Sequence, residues 1–181
     1  MRIAVIADTH IPSRAEELPD WIRDELRGAD HVIHAGDFDS REAYDDIADL
    51  SAELTAVRGN MDPEMTTVDL PETTALDRGG VRFVVTHGTG DLADYESRVA
   101  GVVRDHVGDA ETVVGVAGHT HQLTDTTVRP ETETDDPTRE ADGVRLLNPG
   151  SATGADPASF ESMLVVRAED GDLDVQVERR D

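Results

Sequence analysis

The sequence predicts an α/β protein in which two mixed β-sheets face each other and helices cover their outer sides. The first 60 residues read strand, helix, strand, helix, strand, an alternation that favours a parallel sheet with right-handed crossovers. The remaining residues are rich in strands, and a second sheet facing the first would bury them. We find no internal repeat and no linker long enough to divide the 181 residues, so residues 1–181 are expected to form one domain.

In the first half, three apolar segments predict buried strands, and two amphipathic segments between them predict helices. The helix "LPDWIRDELRGAD" has Pro19 near its start and Gly28 at its end. The helix within "SREAYDDIADL" follows Ser40, a residue type that caps helix N-termini. The predicted strands are residues 2–8 ("RIAVIAD"), 31–37 ("HVIHAGD") and 54–60 ("LTAVRGN").

The second half predicts mainly strands. The segment "ETTALDRGGVRFVVTHG" reads as two strands joined in a hairpin at Gly79-Gly80. Apolar residues recur at helical spacing through "LADYESRVAGVVRDHVG", which predicts a helix. The acidic segment 130–142 has no apolar periodicity and is expected to be a solvated loop, with a lid or interface element as the alternative. The further strands are "TVVGVAGH", "LTDTTVRP", "GVRLLNPG", "FESMLVVRAED" and "LDVQVERR", with "EDGD" as the last turn.

The acidity of the chain predicts an origin in a salt-rich cytoplasm. Asp and Glu number 40 against 16 basic residues, all of them Arg, for a formal net charge of −24. Self-repulsion at this charge destabilises a compact state at low salt, and molar salt screens it because the Debye length falls to about 3 Å. The acid is spread along the whole chain, which favours a halophile's protein over the alternative, an acidic surface that binds a basic partner.

Composition excludes several other classes. The chain has no Cys, which excludes disulfide frameworks, thiolate metal sites and a Cys nucleophile. No stretch approaches the roughly 18 to 20 continuous apolar residues of a membrane span. The apolar run at the N-terminus is short and ends at Asp8, which indicates a first strand rather than a signal peptide. We therefore expect a cytoplasmic protein with no membrane partner.

Residue types that bind metals follow five of the predicted strands. The carboxyl ends of parallel strands lie along one edge of a sheet, where ligands bind in open α/β folds. The paired histidines of "GHTH" stand at i and i+2, a spacing that can present both rings to one side of an extended backbone. Neighbouring glycines allow close backbone approach. The candidate residues are Asp8, His10, Asp37, Asn60, His87, His119 and His121.

Oxygen and imidazole ligands without thiolate indicate a centre for two divalent metal ions. Two carboxylates buried among imidazoles would be costly without a counter-charge. Seven ligands are too many for one transition metal and suit two, with one carboxylate bridging. Mn²⁺ is the preferred prediction, Ni, Co, Fe and Zn are the alternatives, and Mg²⁺ is a poor fit. The other histidines are expected to be surface or satisfied core residues (His31 and His106) and a core residue or neighbour of the ligands (His34).

The ordered pattern of these residues resembles the calcineurin-like metallophosphoesterases. The pattern is Asp8-x-His10, Gly36-Asp37, Gly59-Asn60-x-Asp62, His87-Gly88 and Gly118-His119-x-His121. The chain length and the segment "LNPGS" resemble the small, single-domain phosphodiesterase branch. The resemblance implies a four-layer sandwich, with two mixed sheets between helices. It also implies the ligands of two metals: Asp8, His10 and His121 for the first, Asn60, His87 and His119 for the second, and Asp37 as the bridge.

The chain departs from the family pattern at Met61. Many members carry His there, which contacts the phosphate or protonates the leaving group, although the small phosphodiesterase branch often lacks it. Met61 therefore either faces the leaving group without supplying a general acid or fills a gap in the core. Asp62 either supports a ligand or serves the turn before Pro63. Arg58 either reaches a substrate phosphate or is solvated.

The expected activity is phosphodiester hydrolysis. Two metals about 3.5 to 4 Å apart would lower the pKa of a water, and the resulting hydroxide would attack phosphorus. The residues expected to act in catalysis are Asp37, Asn60, His87 and His119. The alternatives are a phosphomonoester or dinucleoside polyphosphate hydrolase, and a catalytically weak protein-interaction scaffold of the same fold. We expect a small-molecule phosphoester rather than a nucleic-acid duplex, because no basic groove or capping domain is visible; homo-oligomerisation stays open.

Overall fold

Ten strands and three helices lie in the parts of the chain that the computed structural model describes, residues 1–62, 69–129 and 143–181. Each predicted strand and helix is present there. The helices are α1 (Asp20–Arg27), α2 (Arg41–Leu50) and α3 (Tyr95–Asp105). The strands are β1 (Arg2–Ile6), β2 (His31–His34), β3 (Leu54–Ala56), β4 (Thr73–Arg78), β5 (Val81–Thr86), β6 (Thr112–Val116), β7 (Leu123–Val128), β8 (Val144–Pro149), β9 (Glu161–Glu169) and β10 (Asp172–Arg180).

The first sheet combines the first three strands with the last two. Its order is β10-β9-β1-β2-β3. β1, β2 and β3 run parallel, as the alternation of strands and helices in the sequence predicts. β9 pairs antiparallel with both β1 and β10, and the turn between β9 and β10 falls at the predicted "EDGD". The first sheet is therefore mixed, as expected.

The second sheet is mixed as well, with the order β4-β5-β6-β8-β7. β5, β6 and β8 run parallel, while β4 and β7 are antiparallel edge strands. The predicted hairpin joins β4 to β5 through Gly79 and Gly80, whose φ angles are 60° and 80°. Glycine adopts this left-handed conformation without a steric cost, which is why the pair marks the turn so clearly in the sequence.

The helix α2 and the 3₁₀ turn before α3 each begin where a side chain accepts a hydrogen bond from a free backbone amide. The Ser40 hydroxyl accepts a hydrogen bond from the Ala43 amide at 3.1 Å, so the predicted N-cap of α2 is confirmed. A short 3₁₀ turn, Leu92–Asp94, precedes α3, and the Asp91 carboxylate caps it by accepting from the Ala93 amide at 2.9 Å. The α-helix therefore starts later than the apolar pattern predicts.

Apolar side chains separate into three clusters that define the layers. Ile22 and Leu26 of α1 pack with Ile6 on the outer face of the first sheet. Val99 of α3 packs with Val84 on the outer face of the second. The four-layer sandwich is therefore confirmed, with both sheets buried on two faces at their centres. The cluster between the sheets includes Ile3, Val5, Ile33, Phe83, Val85, Val114, Val116, Leu147, Leu164 and Val166.

Three strands of the first sheet end earlier than the sequence predicts. β1, β2 and β3 end at Ile6, His34 and Ala56, so the candidate ligands lie beyond them in loops. The φ angles of Asp8 and Asp37 are 52° and 62°, values that a strand cannot accommodate.

The remaining surface features concern the acidic segment and exposed apolar groups. The predicted acidic loop, residues 130–142, lies outside the described residues. In the described parts of the chain, we find no helix with the length and apolarity needed to span a membrane. The large apolar side chains exposed there are Met1, Met61, Leu92 and Val177.

Candidate metal centre

The seven candidate residues gather where the strand ends of the two sheets meet. Asp8, His10, Asp37 and Asn60 follow strands of the first sheet, and the three histidines at 87, 119 and 121 follow β5 and β6 of the second. Backbone hydrogen bonds join the loops: the Asp8 amide donates to the Gly36 carbonyl at 3.0 Å. The cluster thus lies between two sheets, at the carboxyl ends of their parallel strands.

Asp8, His10 and His121 form what we call the buried half of the cluster. Their relative exposures are 0%, 1% and 8%. The Nε2 atoms of His10 and His121 are 3.0 Å apart, and His121 Nε2 lies 3.5 Å from Asp8 Oδ1. One ligand atom from each residue therefore lies close enough to the others to surround a single ion.

Asn60, His87 and His119 form the open half. His87 Nε2 lies 3.1 Å from Asn60 Oδ1, and the rings of His87 and His119 meet edge to face with centroids 5.2 Å apart. His87 is buried, His119 is half-buried and Asn60 is exposed. Asn60 and His87 also line a cleft, so this half is accessible from solvent.

Asp37 lies between the two halves. Its Oδ2 atom is 3.6 Å from His10 Nε2 and 3.2 Å from His87 Nε2, while its Oδ1 accepts the Met61 amide at 2.8 Å. Asp8 is shared as well, because its Oδ1 is 4.0 Å from His87 Nε2. The position of Asp37 is the one a bridging carboxylate needs.

Each of the four histidines donates one ring N–H to a fixed acceptor. Carbonyl and carboxylate oxygens only accept, so the nitrogen facing them must carry the hydrogen. The neutral ring then leaves its other nitrogen as a lone pair. The pairs are His10 Nδ1 with Asp39 (3.0 Å), His87 Nδ1 with the Ala35 carbonyl (2.7 Å), His121 Nδ1 with the Ala155 carbonyl (2.9 Å) and His119 Nε2 with the Gly90 carbonyl (3.1 Å).

The donor set fits cations. With both Nδ1 atoms committed, the Nε2 atoms of His10 and His121 face each other at 3.0 Å as two acceptors, beside the Asp8 carboxylate. Such an arrangement is repulsive unless positive charge lies among the lone pairs. Nitrogen and oxygen ligands of this kind suit first-row divalent ions such as Mn²⁺ and Zn²⁺.

The pKa shifts of Asp8, Asp37 and His87 also indicate that the cluster needs positive charge. Burial raises the pKa of Asp8 to about 7, against the charge of His87. Burial alone would lower the pKa of His87, but the hydrogen bond that its protonated ring can donate to Asp37 and the charges of both carboxylates raise it. Burial also opposes ionisation of Asp37, yet the hydrogen bond and charge of His87 hold its pKa below the usual range. The cluster is short of positive charge, which protons or metal cations supply.

Five of the seven residues have left-handed backbone conformations. The expectation that "GHTH" is extended is therefore wrong: His119 and His121 have φ angles of 72° and 56°, and the Thr120 amide donates to the Gly118 carbonyl at 2.9 Å in a tight turn. The turn sends His121 to the buried half and His119 to the open half. Each such residue costs about 1 kcal/mol or more, which the surrounding contacts must offset. The five are Asp8, His10, Asp37, His119 and His121.

Two glycines and Asp62 allow the loops to approach. A Cβ atom on Gly59 would lie 2.1 Å from Asp37 Oδ1, and one on Gly118 would lie 2.8 Å from Asp8 Oδ2, so only glycine fits at either position. The Asp62 carboxylate accepts four backbone N–H groups, those of residues 37, 38, 39 and 59, at 2.7 to 3.0 Å. Asp62 therefore fixes the loop that carries Asp37.

Sequence reasoning missed two residues that orient the cluster. Asp39 is the acceptor for His10 Nδ1, and its side chain is only 5% exposed. The Asn148 amide donates to the Gly118 carbonyl at 2.9 Å and to the Thr120 hydroxyl at 3.0 Å, which holds the histidine turn. The available signals were a second carboxylate two residues after Asp37, and the polar Asn148 inside the "LNPGS" segment.

The remaining polar candidates lie as follows. His34 is fully buried, stacks on Phe38 with ring centroids 3.6 Å apart and accepts the Gly36 amide, so it is a core neighbour of the ligands. His31 is buried with two side-chain partners, and His106 is exposed. Met61 is 41% exposed, which rules out the gap-filling role in the core.

Carboxylate and imidazole side chains that converge at the strand ends of two stacked sheets define a metal-binding α/β sandwich. A family model described as the calcineurin-like phosphoesterase superfamily domain matches residues 1–171, and the chain belongs to that superfamily.

Similar proteins and structures agree with this assignment. A probable metallophosphoesterase of Methanothermobacter thermautotrophicus is 31% identical over 99% of this chain and 92% of its own length. One from Methanocaldococcus jannaschii is 34% identical over 84% of this chain and 69% of its own. The solution structure of a Thermotoga maritima protein matches with a TM-score of 0.70 and 29% identity, covering 99% of both chains. Zn²⁺-complexed Vps29 of Entamoeba histolytica matches with a TM-score of 0.68 and 26% identity, covering 100% of this chain and 99% of its own.

Proposed function

We propose that this protein hydrolyses small phosphodiesters with the help of two divalent metal ions. The observation that carries the proposal is the 3.0 Å contact between His10 Nε2 and His121 Nε2. Both atoms present lone pairs, because the Nδ1 atoms of the two rings donate to the Asp39 carboxylate and the Ala155 carbonyl. Membership of the phosphoesterase superfamily supports the choice of reaction class.

The proposed ligands divide as the cluster does. The buried half would hold one ion and the open half would hold the other. Asp37 would be a ligand of both ions. When bound, the ions supply an activated water and stabilise negative charge on the phosphoryl oxygens. His119 would bind through Nδ1, since its Nε2 donates to the Gly90 carbonyl. The supporting acceptors keep each ring in the tautomer that a metal requires.

The substrate would approach from the open half. Asn60 is exposed and His119 half-buried, whereas the buried half offers no comparable surface. Asp37, Asn60, His87 and His119 are therefore the residues proposed to act nearest the phosphate. The backbone amide of Met61 donates a hydrogen bond to Asp37. The Met61 side chain is a thioether, which has no proton to donate, so this position supplies no general acid.

Metal dependence tests the proposal directly. Protein stripped with a chelator should not hydrolyse bis(4-nitrophenyl) phosphate, and Mn²⁺ should restore activity better than Mg²⁺ because imidazole ligands suit the softer ion. Activity that survives chelation, with metal content confirmed as zero by elemental analysis, would overturn it. Stronger activity with Mg²⁺ would overturn the choice of metal alone.

The second candidate is a catalytically weak protein-interaction scaffold of the same fold. Several Vps29 structures are among the similar ones, which favours considering it. The two buried clusters Asp8–His10–His121 and Asp8–Asp37–His87 argue against it, and so does the described surface, where few large apolar side chains are exposed. A metal-free protein as purified, which also fails to bind added Mn²⁺, would favour the scaffold. The cytoplasmic location and the halophilic origin stay predictions.

A further inference from the structure

A cleft of about 550 Å³ opens beside the open half of the metal centre. Its volume is in the range of small-molecule sites. Asn60 and His87 line it together with Val99 and Val102 of α3. Its polar lining also includes Arg58, Glu72, Arg98 and the hydroxyl residues Thr73, Thr86 and Thr89.

The two arginines of the cleft differ in how many of their guanidinium N–H groups already donate hydrogen bonds. Arg98 donates to the carbonyls of Gly88 (2.9 Å), Thr89 (2.7 Å) and Asp91 (2.8 Å), and it also pairs with Asp94 at 3.2 Å. These contacts hold the loop after β5 in place. Arg98 is therefore a structural residue with little donor capacity left for a ligand.

Arg58 makes a single side-chain contact within the described residues. Its Nη2 donates to Glu72 Oε1 at 2.8 Å, and the two side chains are 33% and 81% exposed. An ion pair this open to solvent is weak. A ligand anion can therefore replace Glu72 on the guanidinium, whose up to four further N–H donors meet no acceptor among the described residues.

We propose that Arg58 binds a second phosphate group of the substrate, beyond the phosphodiester that is cleaved. The inference rests on the proposed function, because it takes the first phosphate to lie at the metal centre. Arg58 stands two residues before Asn60, so at most about 7 Å of backbone separates them. In a chain of net charge −24, a guanidinium beside a metal centre offsets the repulsion that a doubly phosphorylated substrate meets. The substrate class is a small diester that carries an additional phosphate.

Calorimetry with thymidine 5′-monophosphate and thymidine 3′,5′-bisphosphate tests the subsite on the Mn²⁺-loaded protein. The native protein should bind the bisphosphate about 10-fold more tightly, the effect of one charge-assisted hydrogen-bonded pair. Arg58→Gln should abolish that preference. Glu72→Gln should increase it, because the competing carboxylate is gone. Arg41→Gln, which breaks another solvent-exposed pair, with Asp45 on α2, is the matched control and should change nothing.

The opposite signs separate a binding role from a structural one. If Arg58→Gln and Glu72→Gln both reduce bisphosphate binding, the pair only supports the fold, and the proposal is wrong. Equal affinities of the two nucleotides for the native protein would overturn it too. Hydrolysis of bis(4-nitrophenyl) phosphate is measured in parallel: its absence would reject the proposed function, while calorimetry still reports on the subsite.

Discussion

The two halves of the proposed metal centre offer similar ligand types in opposite surroundings. In the buried half, Asp8, His10 and His121 are at most 8% exposed, whereas in the open half Asn60 is exposed and His119 half-buried. Desolvation makes charge interactions stronger in the buried half and binding there harder to reverse. We therefore propose a division of labour, in which the buried half would retain one ion and the open half would meet the substrate.

The hydrogen-bond acceptors of the histidine rings also differ between the two halves. In the buried half a carboxylate, Asp39, accepts the hydrogen of His10, whereas His121 and both histidines of the open half donate to backbone carbonyls. A carboxylate partner makes the imidazole a stronger ligand than a carbonyl does. We therefore expect the buried half to bind its ion more tightly.

Removing the residue shared by both halves should have the largest effect. Asp37→Asn takes away the charge that lies between His10 and His87, so both ions should be lost and activity should fall by about 10³-fold or more. His34→Ala should lose far less activity per folded molecule, because His34 contacts none of the proposed ligand atoms in the described hydrogen-bond network. Elemental analysis and initial rates check this, with Asp125→Asn as an exposed control. Equal losses in Asp37→Asn and His34→Ala would mean that the ligand set is wrong.

Substituting Asp39, which accepts a hydrogen bond from a histidine of the buried half only, should weaken the binding of one ion and leave the other unchanged. Asp39→Asn leaves the side-chain volume unchanged but removes the charge behind His10, so the affinity of one ion should weaken by roughly 10- to 100-fold while the other ion is retained. Competition with a chelator, read as two dissociation constants for Mn²⁺, measures it. Asp24→Asn, an exposed carboxylate paired with Arg27, is the control. If both ions weaken equally, the halves are not independent.

The regular part of this architecture is readable from the sequence, and the irregular part is not. Apolar runs such as "RIAVI" and the Gly79-Gly80 pair predict the strands and the hairpin because period and turn chemistry are local properties. The left-handed φ angles of Asp8 and His119 depend on contacts between distant loops, so the sequence predicts extended ends instead. The pairing of Asp39 with His10 is equally non-local, and the position of Asp39 two residues after Asp37 is a weak signal in a chain with 40 acidic residues.

Met61 tests whether the open half faces the leaving group. Met61→His would place an ionisable group beside Asn60, at a position that is 41% exposed and therefore tolerant of the change. A well-placed general acid contributes about 10²- to 10⁴-fold, but an unsupported side chain should deliver only a small part of that, roughly 10-fold, on monoesters and alkyl diesters. Activated aryl diesters should gain little. The ratio of monoesterase to diesterase activity measures the effect, and an unchanged ratio rejects the position as facing the leaving group.

Salt should weaken the binding of the two ions unequally, and we expect this change to be smaller than the three effects predicted above. The chain carries a formal net charge of −24, which attracts cations, and this attraction is screened as the Debye length falls from about 10 Å at 0.1 M salt to about 3 Å at 1 M. Screening acts most on charges that solvent surrounds, so the ion of the open half should weaken by roughly 3-fold between these concentrations, and that of the buried half by less. Chelator competition at both concentrations, in KCl, measures the two constants, and Asp39→Asn assigns the tighter one. If the tighter ion were the more sensitive to salt, solvent would reach the buried half, and exposure could not be the reason that the two halves differ.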